Sequence, residues 1–130
     1  MSSAAPTPID DLMERASAAL VVTVYFEAER HALSALRLSR ALGDFERMAR
    51  ICLPLQEARR QKRLLAEGAA NSGGCVVLTG VASGSEWMKP GCYLLQPPAI
   101  GADARALRER FDAARVPAAI LTREPMTRLG

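Results

Sequence analysis

Residues 92–122 read CYLLQPPAIGADARALRERFDAARVPAAILT, and the hydrophobic period changes twice within them. Cys92-Tyr-Leu-Leu-Gln96 is a short apolar run closed by Pro97-Pro98, and Ala118-Ala-Ile-Leu-Thr122 is another, so both have the length and boundaries of buried strands. Between them, Asp103 to Ala114 repeats apolar residues at helical spacing. Ala104, Leu107, Phe111 and Ala114 share one face, while Arg105/Glu109 and Arg108/Asp112 form i,i+4 pairs on the other. Strand, helix and strand in succession make a βαβ unit with parallel strands and a right-handed crossover.

Upstream, Cys75-Val-Val-Leu-Thr79 reads as a third strand, preceded by the Gly/Ser/Asn stretch Gly68-Ala-Ala-Asn-Ser-Gly-Gly74. The expected division is therefore a helical region at 1–67, a flexible linker at 68–74 and a small α/β unit at 75–130. One helix covers only one face of a three-stranded sheet. The α/β unit is thus expected to need the N-terminal helices as a lid. The expectation extends to the chain being the front part of a longer protein or needing a partner at a sheet edge.

The first half reads as helix. Thr7 is placed to cap, Pro8 suits the first helical position, and Asp10 stands at capping-box spacing from Thr7. Ile9, Leu12, Met13, Ala16, Leu20 and Val24 follow at helical spacing, with neither Gly nor Pro from Ile9 to Leu42. Nothing in that span forces a break. The β-branched run Val21-Val-Thr-Val-Tyr25 is read as helix from its flanks, leaving open whether residues 8–42 form one helix or two. Gly43 suits a helix C-terminus and Asp44 the next N-cap. Pro54 predicts a kink or restart in the helix that follows. The fold class expected is α/β (α+β): a helical hairpin, then a small three-stranded sheet with a βαβ unit.

Tyr25 to Arg50 carries small residues Ala32 and Ala35 on its first helix and a Gly43-Asp44-Phe45 turn before its second. With these features, residues 25–60 resemble a single tetratricopeptide-type helical hairpin, which implies a protein-interaction surface. The segment departs from that pattern at Leu36, Met48, Cys52 and Arg60, and no second copy occurs at the family's period. A shorter resemblance covers Val77 to Ser85, whose Thr79-Gly80 and Gly84 are similar to the nucleotide-binding start of short-chain dehydrogenases. Glu86 stands where that pattern has a further glycine, and Pro90-Gly91 leaves no room for its crossover helix. A plain Gly/Ser-rich loop is the reading adopted.

Composition narrows the function classes. The 130 residues are 49 % hydrophobic and 24 % charged, which excludes wholesale disorder. Net charge is +3 but unevenly placed. Residues 1–29 set Arg15 against Asp10, Asp11, Glu14, Glu27 and Glu29, whereas residues 30–63 hold most of the bases. Arg59, Arg60, Lys62 and Arg63 form the densest basic cluster, a candidate contact for an anionic partner. Cys52, Cys75 and Cys92 are an odd set without Cys-x-x-Cys spacing, and His31 is the only histidine, so no metal site and no cofactor are expected. Reduced thiols, no secretory leader and no apolar run long enough to span a bilayer point to a cytoplasmic protein without membrane association.

No nucleophile motif accompanies His31, so the balance is against an enzyme. The expected function is a protein-interaction or structural module, contacting a protein partner or a second copy. Its candidate contact residues are Arg59, Arg60, Lys62, Arg63 and Trp87. The alternatives are a ligand-binding or enzyme fragment with a site at loops 80–84 or 97–103, and nucleic-acid contact through Arg59–Arg63. The last ranks lowest, because no aromatic side chain lies near for base stacking.

Overall fold

The computed structural model describes residues 7–70, 74–80, 84 and 86–123. They form α1 (Pro8–Val21), α2 (Tyr25–Ala41), α3 (Phe45–Ala70), β1 (Cys75–Thr79), β2 (Gly91–Gln96), α4 (Gly101–Ala113) and β3 (Ala118–Thr122). This is the expected α/β class, helices first and a small sheet after. The chain divides into two compact units, residues 1–61 and 62–130, with the division inside α3.

In the first unit, α1 starts as its sequence dictates. Thr7 Oγ1 accepts the Asp10 N–H at 3.1 Å, the Asp10 carboxylate faces back to Thr7, and Pro8 opens the helix. The glycine-free span from Ile9 to Leu42 forms two helices, not one. Val24 N–H bonds to Ala19 C=O at 2.9 Å and Thr23 N–H to Leu20 C=O at 3.1 Å. These are the two bonds of a Schellman end, and they put Thr23 at φ 62°, a position usually given to glycine. The same pair of bonds closes α2, from Asp44 to Ser39 and from Gly43 to Arg40, with Gly43 at φ 67°. Only the second break carries a glycine, so only the second was legible.

Asp44 caps α3 by accepting the Arg47 N–H at 3.1 Å. Pro54 lies inside an unbroken α3, so the restart expected there does not occur. Proline removes one helical hydrogen bond, a local loss that a 26-residue helix tolerates. The helix continues to Ala70, taking Gly68, Ala69 and Ala70 out of the expected linker, while linker residues 71–73 lie outside the described residues. Ile9, Ala16, Ala32, Ala35, Ile51 and Leu55 form the first core. Small residues dominate it because Ala28, Ala32, Ala35 and Ser39 line one buried stripe of α2, at spacings that share a helix face.

Arg47 holds the starts of α1 and α3 together. Its guanidinium donates to both Asp10 oxygens at 2.9 and 3.0 Å and to Asp44 at 2.8 Å. Those bonds, with a further one from Thr7, hold the Asp10 carboxyl well below the usual carboxylate range. Asp44 is lowered for the same reason, and Arg47 is raised in return.

In the second unit the three strands are parallel in the order β1-β2-β3, with Cys75↔Cys92 and Gly91↔Ala118 fixing the registers. Alternation then assigns the faces. Val76, Leu78, Tyr93, Leu95 and Ile120 share one face. Tyr93 and Leu95 there are buried with Ala104, Leu107 and Phe111 of α4, which form the second core. α4 begins at Gly101 and its Asp103 carboxylate accepts the Ile100 N–H at 2.8 Å, so Asp103 is a helix-start residue. The Pro97-Pro98 bond that precedes it is cis.

Candidate functional site

The basic cluster is largely occupied by the protein itself. Arg59 Nε meets Glu29 at 3.1 Å, Arg60 meets Glu57 at 3.5 Å, and Lys62 Nζ meets Asp112 of α4 at 2.7 Å. Glu57 titrates below its ordinary range, chiefly because Gln61 donates to it, with Arg60 adding to the effect. Arg63 is exposed. Phosphate binding gains its strength from releasing counterions around several unpaired cations. A cluster in which three of the four cations already face a carboxylate offers little of that.

Trp87 packs inward. Its ring meets Tyr93 edge-on at 5.8 Å and Phe111 at 5.9 Å, and the Arg110 guanidinium lies over it at 5.8 Å. Arg110 also donates to the Gly84 carbonyl, so one side chain ties the loop to α4. The Tyr93 hydroxyl donates to the Lys89 carbonyl and accepts the Lys89 N–H. Trp87 therefore contributes to the core beneath the loop, and only part of it reaches solvent. Of the loop 80–84, residues 81–83 lie outside the described residues. At loop 97–103 the Asp103 carboxylate turns back to accept the N–H of Ile100, the residue before α4, so its charge is engaged by its own helix start. His31 is half-buried on α2, and among the described residues no three His, Cys, Asp or Glu side chains gather as a metal site would require.

The second face of the sheet is the one that a single crossover helix leaves uncovered, and strand register now names its residues. Cys75, Val77 and Thr79 of β1 stand beside Cys92, Leu94 and Gln96 of β2, with Ala119 and Leu121 of β3 beyond. Val77 is 53 % exposed and Leu121 is 57 % exposed. None of these eight residues is charged. Parallel sheets ordinarily have both faces covered, and their strands are apolar on both sides for that reason. The adjacent pairs Val76-Val77, Leu94-Leu95 and Ile120-Leu121 carried that signal in the sequence. Cys75 and Cys92 sit side by side on this face as free thiols, Cys75 exposed and Cys92 less so. Burial first, then electrostatic repulsion from the neighbouring Cys75 and from Glu67, pushes the Cys92 thiol up.

On the α4 side, near the starts of β1 and β2, the unit contains a cavity of about 540 Å³ whose wall includes Val76, Leu78, Trp87, Lys89, Cys92 and Tyr93. No helix among the described residues is long and apolar enough to cross a membrane. Compared with protein-family models, curated proteins and solved structures, the chain matches none.

Proposed function

We propose that this chain acts through protein–protein contact, and that the uncharged face of its parallel sheet makes the contact. The carrying observation is the exposure of Val77 and Leu121 on a sheet face that carries no charge at any of its eight positions. Water-exposed apolar area on a parallel sheet is what a partner surface removes from solvent, at about 25 cal/mol per Å². The partner this face suits is a second copy of the chain. Two uncharged faces meet without like-charge repulsion, although the whole chain is basic. A reducing, cytoplasmic setting belongs to the same reading, because the three cysteines are an odd set without Cys-x-x-Cys spacing.

Sedimentation equilibrium over a wide concentration range tests this. The wild-type chain is expected to self-associate reversibly, and Val77→Glu or Leu121→Glu to weaken that association at least about tenfold, since each buries a carboxylate without a partner. Both positions are exposed in the single chain, so the variants are expected to keep its helical circular dichroism. A chain that stays monomeric throughout, or variants that associate like wild type, would refute the proposal.

A further inference from the structure

The α4-side cavity has a chemistry of its own. Its volume, about 540 Å³, lies within the range of small-molecule sites. Val76, Leu78, Trp87 and Tyr93 make its wall mainly apolar and aromatic. Lys89 is the one charged residue lining it among the described residues, and no carboxylate lines it. The Lys89 backbone is fixed at that wall because the Tyr93 hydroxyl takes both its N–H and its C=O. The wall also holds an unmet donor, since Trp87 Nε1 is buried and has no hydrogen-bond partner among the described residues. Buried donors without acceptors are uncommon in finished interiors, and a missing ligand is one physical reason for such a group. Glu67, whose charge helps to raise the Cys92 thiol, does not line the cavity.

We propose that this cavity binds a small carboxylate with an aromatic or branched apolar body. The apolar body packs against Val76, Leu78, Trp87 and Tyr93. The carboxylate takes a charge-assisted hydrogen bond from the Lys89 ammonium. This goes beyond contact through the opposite sheet face and does not depend on it.

The chain has a single tryptophan, and it is Trp87, so intrinsic fluorescence reads this cavity alone. Phenylpropionate and its uncharged analogue phenylpropionamide are the probes. A ligand of about a dozen non-hydrogen atoms is expected to saturate in the millimolar range. Phenylpropionate is expected to change Trp87 emission saturably and to bind about tenfold tighter than the amide, the ratio that a charged hydrogen bond confers. Lys89→Met, at an exposed position, is expected to keep the fold by circular dichroism and to erase that preference. Three results would each overturn the proposal: no saturable change with either probe, equal binding of acid and amide, or a preference that survives Lys89→Met.

Discussion

Thr23→Gly should stabilise this protein. The same two backbone bonds close α1 and α2, yet one end places glycine at the left-handed position and the other places threonine. A left-handed conformation costs an L-residue about 1–2 kcal/mol, so about 1.5 kcal/mol is taken for threonine. Glycine removes that cost but loses about 0.5–1 kcal/mol more chain entropy on folding. Thr23 is exposed, so few packing contacts are lost. The net expectation is a gain of about 0.5–1 kcal/mol. With a urea dependence near 1 kcal/mol/M, typical of a small unit, the midpoint of the helical circular dichroism transition should rise by about 0.5–1 M at constant slope. Gly43→Ala is the reciprocal control. A Cβ built there meets nothing within 4 Å, so its expected loss of about 1 kcal/mol comes from φ 67° alone. If Gly43→Ala is costly while Thr23→Gly is neutral or destabilising, the helix end assigned to residues 19–24 is wrong.

Two further substitutions probe the helical unit. Pro54→Ala is expected to change stability by no more than about 1–2 kcal/mol by urea titration, with the sign toward stabilisation, because it restores a donor inside an unbroken helix. A larger loss would mean that Pro54 fixes a turn between two helices. Arg47→Met tests acid sensitivity. Asp10 and Asp44 have folded-state values below their unfolded values of about 4, so their contribution is complete above that pH and is lost as pH falls through the folded values. Stability measured by urea midpoints is expected to fall on acidification below about pH 4, and to fall less steeply in Arg47→Met. Equal acid slopes in the two proteins would remove Arg47 as the cause.

Features written in contiguous residues were legible, and features made by distant ones were not. The Thr7-Pro8-Asp10 helix start, the Gly43-Asp44 turn and the βαβ unit at residues 92–122 each declare themselves within a few residues or a clear change of period. The break after Val22 did not, because Thr23 occupies a position that glycine usually announces. Pro54 left a kink and a restart open, and the helix continues through it because its local penalty is outweighed by the helix on both sides. The basic cluster looked like a patch only while its partners were unseen. Glu29 lies 30 positions from Arg59 and Asp112 lies 50 from Lys62, beyond any spacing rule. The uncharged sheet face and the cavity arise only when β1 and β2 come into register.

The contact surface is tested most directly by the reactivity of two thiols within one chain. Cys75 lies on the uncharged sheet face and Cys52 lies on α3, and both are exposed in the single chain. Maleimide labelling, read residue by residue by mass spectrometry from micromolar to near-millimolar protein, gives their ratio at each concentration. Contact through the sheet face predicts that Cys75 labelling slows relative to Cys52 as concentration rises, and that Val77→Glu abolishes the effect. A ratio that holds constant while the chain associates would place the contact elsewhere and contradict the account.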